Sequence, residues 1–224
     1  RVRPVGWRSC SVLEWGKGVC LMRECTEARF LDDVSRHEMT VLGENGLFRH
    51  LRFRTDNSIC MSFDLITWPG ALCIDGDMGT YVFRRLPDMF QFFRTDRRQP
   101  RSGQMLYINL GYWAEKVMAA DKNGKIEEFD PELAKRRLVE ELKELRGVKS
   151  REERRDVYDA VVQCLDDGEH EVRRALSDEF PDSWEWRLTD YTYHFVWCCY
   201  AIAWGIQQYD AKDSKPAAAL VLQP

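Results

Sequence analysis

Five side chains between positions 37 and 77, His37, Glu38, Asp64, Asp75 and Asp77, are of the types that hold a catalytic divalent cation. Hydrolytic metal sites use imidazoles and carboxylates brought together from strand ends, where they bind the ion and lower the pKa of its water. The local patterns argue against assembly here. Asp75-Gly76-Asp77 is ordinary turn chemistry, and His37-Glu38 lacks the second histidine four residues on that a zinc-protease helix needs. A covalent mechanism fares no better, because neither a Gly-x-Ser-x-Gly elbow nor a phosphate-cradling glycine loop occurs. His194 and Cys198 share a face at helical spacing, but a histidine beside core thiols accounts for the pair. The sequence therefore predicts no catalytic residue, no resident metal and no cofactor.

Two other groups read as contact surface. Arg84, Arg85, Arg94, Arg97, Arg98 and Arg101 gather in and just before the loop RTDRRQPRSG, the most basic local stretch. Guanidinium groups at this density suit nucleic-acid phosphate or an acidic protein surface. Trp184 and Trp186 head an aromatic series continued by Tyr191, Tyr193, Trp197, Tyr200 and Trp204. Such rings can stack bases or form an interface, although packing between helices explains most of the series. The six arginines with Trp184 and Trp186 are the predicted partner-binding set. The net charge of -4 and pI near 5.7 exclude a protein that coats nucleic acid over its whole surface. No helix-turn-helix, zinc finger or RNA-binding strand motif is present.

The elements that must carry these residues follow from periodicity. Met61, Phe63 and Leu65 alternate with Ser62, Asp64 and Ile66, as in a strand with one buried face. Trp68-Pro69-Gly70 breaks it, Ala71 to Ile74 resumes it, and Asp75-Gly76-Asp77 turns it into Thr80 to Phe83. Upstream, Met39 to Leu42 and Leu47 to Arg54 flank Gly43-Glu44-Asn45-Gly46, a strong hairpin signal. Leu47, Leu51 and Phe53 lie on one face of that second strand and His50, Arg52 and Arg54 on the other. The prediction is a meander of four to five antiparallel strands, preceded by a helix within 24–36 (Phe30, Leu31 and Val34 inward). A helix follows it, with Leu86, Met89, Phe90 and Phe93 in one stripe and Pro87 in its first turn.

Beyond the arginine loop the chain turns helical. Gly111 to Met118 suits a short helix. Asp130-Pro131 opens a helix with Ala134, Leu138, Leu142 and Leu145 on one face, and Ser150 with Glu153 forms a capping box before Val157, Val161, Cys164 and Leu165. A third helix carries Val172, Ala175 and Leu176. The last begins near Asp190, is apolar nearly all round, and belongs between the helical lobe and another layer. Acidic residues outnumber basic ones 21 to 14 between Asp121 and Asp190, so this lobe is an acidic body beside a basic loop. The predicted class is α+β: an arm or extension at 1–23, one domain at 24–210 with its sheet at 39–93 and its helical lobe at 108–208, and a flexible tail at 211–224.

Composition adds the setting. The chain's 224 residues, 44% hydrophobic, can bury a core in one domain. Its eight cysteines contain no Cys-x-x-Cys pair and no signal peptide opens the chain, which predicts reduced, mostly buried thiols in a cytoplasm. Tyr191 to Ile206 is about 16 residues where a membrane span needs about 20, so no membrane partner is expected.

The segments RHEMTVLGENGLFRHLRF, FDLITWPGALCIDGDMGTYVF, DMFQFF, GYWAEK and DSWEWRLTDYTYHFVWCCYAIAWGIQQYD, in that order, resemble a family of small uncharacterised proteins of tailed phages, prophages and bacterial genomes. The resemblance covers about Cys25 to Asp210 and carries no catalytic residues with it. It implies a phage accessory role, of the kind filled by inhibitors of host defence or modulators of host machinery. Two expectations follow. One is a non-enzymatic, anti-CRISPR-like protein that binds a host protein or ribonucleoprotein complex as a monomer or homodimer, with phosphate contact through the arginine loop. The alternative is a metal-dependent hydrolase of nucleic acid using His37, Glu38, Asp64 and Asp77.

Overall fold

The computed structural model describes residues 24–95, 103–122 and 124–213. It is an α+β protein. Six antiparallel strands form one sheet in sequence order: β1 (Glu38–Asn45), β2 (Phe48–Arg54), β3 (Phe63–Trp68), β4 (Ala71–Gly76), β5 (Gly79–Arg84) and β6 (Val117–Ala120). The first five make the expected meander, and each turn has a local cause. Pro69 and Gly70 join β3 to β4, with Gly70 at φ +85°, because the second loop position of this turn must be left-handed. Gly46, at φ +60°, serves the β1–β2 hairpin. The turn there is Gly46-Leu47 alone. Pairing runs on to Asn45 opposite Phe48, so Gly43, Glu44 and Asn45, expected in the loop, join the strand, and a bulge at Leu42 between Val41 and Gly43 adjusts the register.

Alternation sets the faces. Leu51, Phe53, Phe63, Leu65, Leu72, Ile74, Tyr81 and Phe83 all point inward and are buried. Against them lies α7 (Tyr193–Asp213), joined by α1 (Glu27–Asp33), α2 (Met89–Thr95) and α3 (Leu110–Ala114). Helix α7 is buried nearly all round, as its sequence predicts, and it packs on the sheet. The indole N–H of Trp197 donates to the Asp33 carboxylate at 3.0 Å and pins α1 to α7. Helix α7 runs to Asp213, past the predicted start of a flexible tail at 211. No helix among the described residues is long and apolar enough to cross a membrane.

Two expected helices shift. Helix α2 starts at Met89, so Leu86 and Pro87 stand outside it, with Leu86 exposed. The reason lies in the neighbouring turn: the Pro87 carbonyl accepts the Gly70 N–H at 2.9 Å, and the Asp88 carboxylate then accepts the Phe90 N–H at 3.0 Å. Met89, Phe90 and Phe93 are buried as predicted. The segment read as one helix from Gly111 to Met118 divides into α3, whose Asn109 side chain accepts the Tyr112 N–H, and β6, an edge strand. Val117-Met118-Ala119-Ala120 has little strand propensity; its pairing to β5 makes it a strand.

A second core belongs to α4 (Pro131–Glu144), α5 (Arg151–Gln163) and α6 (Glu169–Ser177), closed by Phe180, Trp186 and Leu188. Asp130 caps α4 through the N–H groups of Glu132 and Leu133, and both halves of the Ser150–Glu153 capping box form at α5. A two-stranded ribbon, β7 (Glu127–Phe129) with β8 (Thr189–Tyr191), links this lobe to α7.

Candidate binding surface

Four of the five residues whose types suggest metal chemistry are engaged by neighbouring groups. Arg52 holds Asp64 through two hydrogen bonds, 2.9 Å from Nε to Oδ1 and 2.8 Å from Nη2 to Oδ2, and His50 Nε2 lies 2.7 Å from the same Oδ2. Burial alone would raise the Asp64 pKa, but these partners outweigh it and keep the carboxyl below its ordinary value. The Asp77 carboxylate accepts the Met61 N–H at 2.8 Å, Thr80 donates its hydroxyl to Asp75, and His37 Nε2 donates to the Met61 carbonyl at 3.0 Å. Glu38 stands exposed opposite Arg54. Among the described residues no three His, Cys, Asp or Glu side chains come together as ligands for an ion. His194 is exposed while the Cys198 thiol is buried and donates to the Met78 carbonyl, so the two do not form a pair. Cys25, Cys73, Cys164, Cys198 and Cys199 are thiols outside any disulfide.

The predicted partner-binding residues scatter. Arg84 and Arg85 are exposed, and among the described residues neither guanidinium sits in an ion pair. Arg94 is committed elsewhere: it grips both Asp210 carboxylate oxygens and tilts over the Phe90 ring at 5.6 Å. Arg97, Arg98 and Arg101 lie outside the described residues. Trp186 is a core residue, 8% exposed, packed on Phe180 with Arg137 over its ring. Trp184 is 71% exposed, on the helical lobe.

The sheet brings together a surface that composition did not show. With one face under α7, the other has no layer of described residues on it, and its side chains fall into three cross-strand rows. The first holds Phe48, Trp68, Ala71 and Arg84. The register that sets Arg49 opposite Thr67 brings Phe48 beside Trp68, Trp68 pairs with Ala71, and Ala71 pairs with Arg84. Phe48 is 57% exposed and Trp68 37%, while Ala71 between Trp68 and Arg84 is fully buried and closes the floor. The second row, His50, Ile66, Cys73, Val82 and Ala119, is mainly apolar. The third, Thr40, Arg52, Asp64, Asp75 and Thr80, is polar. Leu86, 37% exposed, follows Arg85 at the end of the first row. Aromatic side chains at this exposure on adjacent strands usually mark contact surface. Their signal in the sequence was parity: Phe48 and Trp68 fall on the positions that alternate with the buried Leu51, Phe53, Phe63 and Leu65.

A separate cleft of about 960 Å³ lies between α1 and the β7–β8 ribbon. Glu24, Glu27, Glu128, Asp130, Glu132 and Asp190 line it against Arg136, so it carries the acidic character expected of this side of the molecule. The Cys25 thiol also borders it; burial pushes its pKa up to about 12, which leaves no thiolate for nucleophilic chemistry at neutral pH.

Compared with protein-family models, with curated proteins and with solved structures, the chain matches none.

Proposed function

We propose that this chain is a phage-type accessory protein that acts by binding, holding a host protein or ribonucleoprotein complex against the open face of its sheet and inhibiting host defence. The observation that carries the reading is that face: Phe48 and Trp68 exposed side by side, with Arg84 at the end of the same row and Arg85 next to it in the chain, both exposed and in no ion pair among the described residues. A folded protein gains nothing in stability by leaving such rings in water, whereas an interface buries them and recovers about 25 cal/mol per Å² of apolar surface. The engagement of Asp64, Asp75 and Asp77 by neighbouring donors supports binding over hydrolysis, because each carboxylate already serves the sheet.

The test is affinity capture from a defended host, followed by mass spectrometry. Wild-type bait recovers a stoichiometric complex. The Phe48→Ala, Trp68→Ala bait loses it, and Trp184→Ala, altered on the other lobe, keeps it. Equal recovery by all three baits removes the open face as the contact, and recovery of no complex removes the binding reading itself.

A further inference from the structure

We infer that the open face takes single-stranded nucleic acid, with two consecutive bases stacking on Phe48 and Trp68 and the backbone phosphates passing over Arg84 and Arg85. This rests on the binding reading above and specifies which component of a host ribonucleoprotein complex the face would touch.

The row has the two parts that sequence-tolerant single-strand binding requires. One is a pair of π-faces free for stacking. Phe48 and Trp68 stand on adjacent strands, and among the described residues neither ring contacts another aromatic ring or lies under a cation. Every other tryptophan that the sequence pointed to, apart from Trp184, is buried or partly buried in a core. The other part is uncommitted positive charge. Of the arginines near the sheet, Arg49, Arg52 and Arg94 are tied to Asp88, Asp64 and Asp210, while Arg54, at the far end of β2, and Arg84 and Arg85 have no ion-pair partner among the described residues.

The spacing is also suitable. Phe48 and Arg84 are three strands apart, about 14 Å at the usual strand separation, with Trp68 and Ala71 between them in the row. Bases in a duplex are already stacked on one another, so exposed rings on a sheet favour unpaired strands. The net charge of -4 limits any electrostatic footprint to a local patch. An acidic protein epitope would satisfy the arginines equally, but it has no need of two planar rings side by side.

The experiment is fluorescence anisotropy with 5′-labelled twenty-nucleotide oligothymidine and oligouridine, titrated with the full chain at several salt concentrations. The single strands bind, and a duplex of the same length binds more weakly. Phe48→Ala and Trp68→Ala each weaken binding about ten-fold. Arg84→Gln with Arg85→Gln lowers the slope of log affinity against log salt by about 0.7 for each phosphate no longer neutralised. All four residues lie outside the sheet's buried face, and matching thermal melts confirm that the variants fold. Quenching of Trp68 fluorescence on binding, absent from Trp68→Phe, places the strand on this row. Oligonucleotide binding that is undiminished in the aromatic variants overturns the inference. So does a wild-type chain that binds neither oligonucleotide while still capturing its host complex through Phe48 and Trp68; that result identifies a protein epitope and leaves the broader reading standing. Failure of both assays ends both.

Discussion

At Gly205 α7 lies close against the sheet, and replacing it with alanine pits two opposing effects of known size against each other. A Cβ at this position would sit 2.7 Å from Leu65 Cδ1, 3.1 Å from Phe53 Cζ and 3.3 Å from Phe53 Cε2. Carbon atoms in van der Waals contact are about 3.5–4.0 Å apart, so Leu65 would have to retreat by about 1 Å. It has nowhere to go. Leu65 and Phe53 are both fully buried, and the Phe53 ring is stacked on Phe63 at 4.7 Å and wedged edge-on against Trp204 at 5.5 Å. Alanine gains about 1 kcal/mol over glycine in a helix interior, while overpacking a closed core costs about 1–3 kcal/mol. Steric cost wins. Gly205→Ala should lose up to about 2 kcal/mol in urea unfolding, and Tm should fall by about 2–4 °C for each kcal/mol at this chain length. Leu65→Val removes the offending methyl, so in a double-mutant cycle the pair should show a favourable coupling of about 1 kcal/mol. A stabilised Gly205→Ala, or strict additivity in the cycle, would refute the close approach as the reason for glycine here.

Three further outcomes are expected. Asp64 and Asp88 are pushed upward by burial but held below the ordinary carboxylate value by hydrogen bonds from Arg52 and His50, and from Arg49. A depressed carboxyl contributes stability above its unfolded pKa of about 3.9 and loses it as pH falls through the folded value. Urea midpoints should therefore decline below about pH 4, and Asp88→Asn should flatten that decline; an unchanged acid limb would show that the Arg49–Asp88 pair is not its source. Asp130→Ala and Ser150→Ala remove the caps of α4 and α5 and should each cost about 1 kcal/mol, read as earlier melting or faster amide exchange in the helical lobe. Uniform loosening of the sheet instead would contradict the two-core description. In timed alkylation at pH 8 read by mass spectrometry, Cys164, half-buried at the end of α5, should react well ahead of Cys198 and Cys199. Burial pushes the thiols of that buried pair well above the ordinary value, so both should stay protected until unfolding; rapid native labelling at either would place α7 wrongly.

Local chemistry was legible in the sequence because it acts over a few residues. Pro69-Gly70, Gly46, the Asp130 cap and the Ser150–Glu153 box each form where their residue types require, and strand alternation assigned Leu51, Phe53, Phe63 and Leu65 to one buried face. The α+β class follows from those elements. Periodicity, however, states that a side is covered and not by what. Helix α7 read as core between the helical lobe and another layer; the tertiary structure lays it on the sheet, in the core of β1–β6 rather than that of α4–α6, with Gly205 close against Leu65 and Phe53. Arg94 and Arg84 look alike in a basic stretch, yet Asp210, 116 residues away, neutralises one and nothing among the described residues neutralises the other. Trp184 and Trp186 are two residues apart, and only the packing of Phe180 and Arg137 draws one of them inside. The open row of Phe48, Trp68, Ala71 and Arg84 is the product of strand register, which pairs positions distant in the chain. Turn and cap energies depend on neighbours in sequence, whereas exposure, charge pairing and the composition of a sheet face depend on neighbours in space.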